Sequence, residues 1–232
     1  MTLHDTRPDA RNATTPPLEA DGAAVDARAR PRRRRRRRTV ALLLGAPVLV
    51  VVLAWAALEL FRPHLYSGTI MQAPAAAPSM DGLVWSDGTA VDLGAFDGDV
   101  VLVYFGYTYC PDVCPTTLSQ VARAIDQVDD PERVHVMMVS VDPVRDERAA
   151  LGDYVRAFDP SFRGATGAIT DIERVASTYG VFFARGEDTG GGGYTVDHTA
   201  TLMGIDTEGH LRIVWPAVLD VDALAADLEA LL

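Results

Sequence analysis

The chain has two cysteines, and both fall in one short run, Tyr107-Thr108-Tyr109-Cys110-Pro111-Asp112-Val113-Cys114-Pro115. Two thiols separated by three residues can open and close a disulfide, or, as thiolates, clamp a soft metal ion. If a helix begins near Cys110, the i, i+4 spacing puts both sulfurs on one face of its first turn. A purely structural disulfide is a third reading, but a bridge closing so short a loop constrains the unfolded chain least. Far along the chain, Val196-Asp197-His198-Thr199 offers an imidazole. A lone histidine at a strand edge is ordinarily a hydrogen-bonded polar residue, and it can equally be a ligand. The residues alone leave the redox and metal readings both open.

The elements that must position these groups are legible in the hydrophobic pattern. Val100 to Tyr107 is a near-continuous apolar run and reads as a central strand buried on both faces. The cysteines sit where that strand gives way to a helix over Thr116 to Val128, whose Leu118, Val121, Ala122, Ile125 and Val128 share one face. A helix N-terminus lowers a thiol pKa, which suits ligation and redox exchange alike. Val134 to Val141 reads as a second buried strand, ending at Asp142. That residue lies at the same sheet edge as the cysteines, where sites form in open α/β sheets. It reads equally well as turn chemistry, with Asp-Pro starting a turn and Asp146 capping the helix Glu147 to Phe158. Arg145 reads as a tie from this loop to a carboxylate. Met137, Met138 and Met203 lie in apolar strand runs and read as core.

Gly82 to Leu93 resembles a hairpin around Ser86-Asp87-Gly88. A helix over Thr170 to Tyr179 is expected to open on the capping box Thr170-Asp171-Ile172-Glu173 and close at Gly180. A flexible loop, Gly186 to Gly193, then precedes a strand over Tyr194 to Ile205, a turn at Thr207 to His210, a strand over Leu211 to Trp215 and a final helix over Asp220 to Leu232. The first βαβ unit gives parallel neighbours by the right-handed crossover rule, and the closing hairpin adds antiparallel ones. The expected fold is therefore α/β: a thioredoxin-like mixed sheet with helices on both faces.

Ahead of that domain the composition changes. Residues 1–39 have no apolar periodicity and end in the unbroken run Arg32 to Arg38, so they read as a disordered basic segment. Val40 to Leu60 is almost wholly apolar and long enough to span a bilayer. Arginines directly before such a span keep the N-terminus cytoplasmic and place the rest of the chain outside. The expected organisation is a cytoplasmic segment at 1–39, a transmembrane anchor at 40–61, a Pro/Ala-rich spacer at 62–80 and the folded domain at 81–232, held on the extracytoplasmic side of the cell membrane. A cleaved signal peptide and a twin-arginine signal at Arg37-Arg38-Thr39 are the rival readings of the same stretch. The net charge of −11, with no lysine anywhere, leaves the domain strongly acidic and argues against nucleic acid as its partner. An exported domain sits where disulfides persist.

Three blocks carry a family resemblance: Phe105 to Pro115, then Ser140-Val141-Asp142-Pro143-Val144-Arg145-Asp146, then Tyr194-Thr195-Val196-Asp197-His198-Thr199-Ala200. In this order, on this layout and behind a membrane anchor, they strongly resemble the Sco/SenC proteins over roughly residues 80–232. The resemblance implies a copper site, as Cu(I) or Cu(II), with Cys110, Cys114 and His198 as ligands and Asp142 in a supporting position behind them. The chemistry agrees: Cu(I) is soft, prefers thiolate and accepts imidazole beside it. Asp197 is a poor candidate to orient His198, because adjacent strand residues face opposite ways. The remaining histidines, His4, His64, His135 and His210, match no motif.

The implied function is that of a metallochaperone, which turns nothing over and helps assemble the copper site of cytochrome c oxidase, with subunit II as recipient. The alternative is an enzyme: a membrane-anchored thiol-disulfide reductase acting on the recipient's cysteines through Cys110 and Cys114. Many thioredoxin-like reductases carry two residues between their cysteines and a facing cis-proline. This chain carries three, and Val196-Asp197-His198 where the proline would be.

Overall fold

The computed structural model describes residues 47–58, 64–190 and 193–232. In chain order these form α1 (residues 47–58), β1 (Thr69–Ala76), β2 (Leu83–Trp85), β3 (Val100–Gly106), α2 (Val113–Ile125), β4 (Val134–Ser140), α3 (Arg148–Arg156) and β5 (Arg163–Gly167), followed by α4 (Ile169–Thr178), β6 (Phe183–Gly190), β7 (Gly193–His198), β8 (Leu202–Ile205), β9 (His210–Trp215) and α5 (Val221–Leu231). The chain divides into two units, residues 1–63 and 64–232, and among the described residues the second holds every strand. The basic segment 1–39 and both ends of the expected span lie outside the described residues. Among the described residues no helix is long and apolar enough to cross a membrane.

Seven strands form one sheet in the order β1-β9-β8-β3-β4-β5-β2. β3, β4 and β5 run parallel, and β8, β9, β1 and β2 join antiparallel. All seven residues of β3 are buried, as its unbroken apolar run requires of a central strand. Successive side chains of β3 face opposite ways. Tyr104 looks toward the start of α2, while Phe105 meets Tyr179, just past α4, with ring centroids 5.9 Å apart. α5 packs on α2 and closes the α2 side. There Trp215, 1% exposed, donates its indole N–H to Asp227 at 2.7 Å. Helices thus cover both faces, and the mixed, thioredoxin-like sheet expected from the sequence is present.

Several elements differ from expectation. Residues 62–80 are not only a spacer, since β1 pairs with β9 and Asp227 accepts both the N–H and the hydroxyl of Ser67 just ahead of it. The Gly82 to Leu93 hairpin forms as a short one, with the Val84–Ala90 bridge and the Trp85 and Val91 N–H groups donating to the Thr89 and Leu83 carbonyls, and β2 pairs on its other edge with β5, which was not expected. β5 was hidden by its small residues, Arg-Gly-Ala-Thr-Gly. The lack of a side chain at Gly164 is what admits Leu151 of α3, whose Cγ would lie 2.6 Å from a Cβ there. The capping box does not form: α4 begins at Ile169 behind Ala168, so Thr170 lies inside the helix. Gly180 does end it, with φ +69°. The Gly186 to Gly193 loop is mostly strand β6. The expected strand Tyr194 to Ile205 breaks at residues 199–201 into β7, which pairs with β6 in a separate two-stranded sheet, and β8 in the main one.

Candidate metal centre

Beyond Gly106 the chain turns through Tyr107-Thr108-Tyr109, and the Cys110 N–H donates to the Tyr107 carbonyl at 3.2 Å. The turn rests on Asp146, whose carboxylate accepts the Thr108 N–H at 3.1 Å and the hydroxyls of Thr108 and Ser140, both at 2.6 Å. Asp146 is therefore not the cap of α3 that its position suggests. It is 1% exposed, and burial raises its pKa against the pull of those hydrogen bonds.

α2 starts at Val113, and the Asp112 side chain makes no capping hydrogen bond. Cys110 Sγ takes that place by accepting the Cys114 N–H at 3.4 Å. Both cysteines are free thiols in this structure and both are buried. Cys110 is pushed down to about 4, chiefly by the hydrogen bond from the Cys114 thiol, and further by His198 and the N–H groups of Asp112 and Cys114, against burial. Cys114 moves up for the complementary reason, since its thiol supplies that hydrogen bond, and burial adds to the shift. The two thiols titrate as a coupled pair, which loses its first proton more readily than an isolated thiol and its second less readily.

His198 ends β7. Its Nε2 lies 3.5 Å from Cys114 Sγ, and its Nδ1 lies 3.3 Å from the Thr199 carbonyl. A hydrogen on Nδ1 serves the Thr199 carbonyl, which can only accept, and leaves Nε2 to ligate a metal; a hydrogen on Nε2 serves the sulfurs of the metal-free site instead. The ring stands edge-on to Tyr104 and Tyr107, with centroids 6.2 and 5.9 Å away. One ligand atom from each of Cys110, Cys114 and His198 lies within 4.8 Å of the other two. Two sulfurs and an imidazole fit a soft ion such as Cu(I) better than a hard one.

The β6–β7 sheet that carries His198 is held to the body by side chains. Tyr107 Oη accepts the Val196 N–H at 3.2 Å, while the Thr199 N–H closes the hairpin's own base on the Phe182 carbonyl at 2.8 Å. Asp142, 4% exposed, completes the attachment. Its carboxylate accepts the Tyr194 hydroxyl at 2.8 Å and the Arg145 Nε–H, and Arg145 Nη1 donates to the Tyr194 carbonyl at 2.8 Å. The guanidinium also stacks on Tyr194, 3.6 Å from the ring centroid, and lies 4.9 Å from that of Tyr109. The hydrogen bonds of Asp142 therefore go to Arg145 and Tyr194, not to the cysteines or His198. Arg145 ties the loop to a carboxylate, as expected.

The other candidates separate cleanly. Met137, Met138 and Met203 are buried in their strands. Asp197 is exposed, on the opposite face of β7 from the site. His64 pairs with Asp227 and His135 with Asp99. A second group, Asp206, Glu208 and His210, also lies within 4.8 Å, but Asp206 is occupied by the N–H groups of Glu208 and His210 in a turn. Sequence reasoning missed Asp146, Tyr104, Tyr107 and Tyr194 as parts of the site. Each reads locally as a helix cap or an apolar strand position, and no spacing announces which partner it meets.

The sequence model of SCO1/SenC matches residues 81–232. The human protein SCO1 homolog, mitochondrial, is 35% identical over 116 residues, which take in 48% of this chain and 38% of that protein. This chain spans less than half the length of the mitochondrial relatives it matches. Apo Sco1 of Thermus thermophilus is 39% identical, with a TM-score of 0.64, covering 73% of this chain and 98% of that one. ScoI of Bradyrhizobium japonicum, solved with copper bound, is 32% identical, with a TM-score of 0.59, covering 69% and 98%. The matched region runs from the turn before β2 to the end of α5, cysteines and histidine included, and on that extent the chain belongs to the SCO1/SenC family.

Proposed function

We propose that this chain is a copper metallochaperone. It takes copper as cargo on Cys110, Cys114 and His198, on the outer side of the cell membrane to which residues 40–61 tether it. It passes the ion to the copper site of cytochrome c oxidase, with subunit II as recipient. The observation that carries this reading is the meeting of three soft-metal donors within 4.8 Å, two from the start of α2 and one from a separate sheet. A histidine brought in on its own hairpin, with Nε2 toward the sulfurs, has no evident use in disulfide exchange and an immediate one in ligation. The copper-bound relative of Bradyrhizobium japonicum supports the choice of metal. Anaerobic titration of the reduced chain with Cu(I), followed by X-ray absorption, tests it. Two sulfur scatterers and one nitrogen at short range are expected, and a shell of oxygen and nitrogen only would overturn the reading. A topology reporter fused after Leu232 should be active only when exported, and cytoplasmic activity would remove the tethering claim.

One observation favours a second reading. Cys110 Sγ accepts the Cys114 N–H at the start of α2, and the two thiols shift in opposite directions, Cys110 down and Cys114 up, an asymmetry that suits attacking and resolving thiols in a disulfide reductase. The two roles share the sulfurs and differ at His198. Loss of the imidazole should abolish tight copper binding and leave thiol exchange in place.

A further inference from the structure

Tyr104 is fully buried in the middle of β3, yet its hydroxyl has no hydrogen-bond partner among the described residues. A buried hydroxyl left unsatisfied loses its hydrogen bonds to water and gains none in return. Phenylalanine would fill the same space without that cost, so the oxygen itself calls for an explanation.

Its surroundings supply one. The ring edge of Tyr104 and the sulfur of Cys114 border the same point above Gly106: a Cβ there would lie 2.8 Å from Tyr104 Cε1 and 3.0 Å from Cys114 Sγ. The ring is also edge-on to His198, at 82°. Burial, and after it the neighbouring Cys114 sulfur, raise the pKa of this hydroxyl, while Thr117 lowers it. Thr117 donates its own hydroxyl to the Ala217 carbonyl at 3.3 Å, and its oxygen can offer the Tyr104 hydroxyl only a neutral acceptor. A thiol or disulfide sulfur is a weak acceptor. Ligation requires the thiolate, and hydrogen bonds to a charged acceptor are roughly twice as strong as neutral ones. The hydroxyl therefore has a poor partner in the empty site and a good one when the site is filled.

We propose that Tyr104 is a positioning residue for the metal-loaded state, its hydroxyl donating to the Cys114 sulfur once that sulfur ligates copper. It rests on the copper reading of the same site. The hydrogen bond favours the loaded protein over both the empty thiols and the disulfide, and it fixes one sulfur while the other two ligands stay exchangeable. Unlike Asp142, which holds the histidine's hairpin, Tyr104 acts on a ligand atom directly.

Tyr104→Phe in the full chain tests this with three readouts. In the metal-free protein, thermal stability should be unchanged or higher, because only an unpartnered hydroxyl is lost. Cu(I) affinity, measured by competition with a chelator, should fall by about 10-fold or more, the scale of losing an outer-shell partner. In the Cu(II) form the sulfur-to-copper charge-transfer band should move to lower energy, since the thiolate has lost a hydrogen bond. Affinity within about two-fold of the unsubstituted chain, against that expected scale, with the band unmoved, would overturn the assignment. So would a loss of metal-free stability that accounts for the whole loss of affinity. If the unsubstituted chain takes up no copper on its cysteines, the copper reading has failed and this inference falls with it; normal uptake with an unaltered Phe variant sinks the Tyr104 assignment alone.

Discussion

Asp142→Ala should weaken copper binding even though Asp142 hydrogen-bonds none of the three candidate ligands. The substitution leaves the Arg145 guanidinium without its carboxylate and the Tyr194 hydroxyl without its acceptor. Asp142 is 4% exposed and the Arg145 side chain 17%. Breaking such a pair costs about 3 kcal/mol, the low end for buried pairs because the guanidinium keeps some solvent and its stack on Tyr194. The loss falls on β6 and β7, which pair only with each other in the backbone sense, and an isolated hairpin is marginally stable. If all of it loosened the hairpin, the affinity contributed by His198 would drop by up to about 100-fold, at 1.4 kcal/mol per decade. Asp142→Asn keeps an acceptor for Tyr194 and should lie between. Anaerobic competition with a Cu(I) chelator reads the affinity, and amide exchange over residues 183–198 reads the hairpin. Faster exchange in β7 with copper affinity unchanged would show that hairpin placement does not limit binding, and would refute the reasoning.

His198→Ala should lower copper affinity by about 10- to 100-fold or more, judged from the cost of losing even an outer-shell partner, while the Cys110–Cys114 disulfide potential stays nearly constant; full retention of affinity would put the reductase reading first. Because Cys110 is pushed down to about 4, its alkylation by iodoacetamide, followed by mass spectrometry, should be nearly flat with pH through the neutral range, and a rate that keeps rising tenfold per unit, roughly as for an ordinary thiol, would contradict this. Burial alone would raise the pKa of Asp227, but hydrogen bonds from Ser67, Trp215 and His64 outweigh it and hold the group below its usual 3.8. Its contribution to stability is therefore complete above that value and is lost as pH falls through the lower folded-state pKa. Asp227→Asn should cost about 1–3 kcal/mol at neutral pH and less in acid, measured by urea unfolding; a cost independent of pH would contradict the assignment.

Much of the molecule was legible in the chain itself. Val100 to Phe105 is apolar at every position, and only a strand covered on both faces buries such a run. That placed Cys110 and Cys114 at a strand-to-helix junction and their sulfurs within reach of one another. A local signal also served at Gly180, which ends α4 in the left-handed region. The residue types at Cys110, Cys114 and His198, with the blocks around them, were enough to single out three residues that the fold brings together.

Tertiary structure decided what those donors meet. Tyr194 to Ile205 reads as one strand because periodicity registers side-chain alternation, not which neighbour supplies the hydrogen bonds. The break at residues 199–201 diverts His198 onto a separate hairpin, and that diversion brings Nε2 to 3.5 Å from Cys114. Asp146 has the sequence of a helix cap, but the buried Ser140 and the Thr108 turn outcompete the helix end for its carboxylate. β5 escaped notice because its small residues carry no apolar signal, and its place in the sheet depends on Leu151 entering over Gly164. Local sequence sets which residues can bind and which segments can be strands. Long-range contacts, made only when the layers close, set where the histidine lies, which carboxylate supports the cysteine turn and which buried hydroxyl is left facing the sulfur.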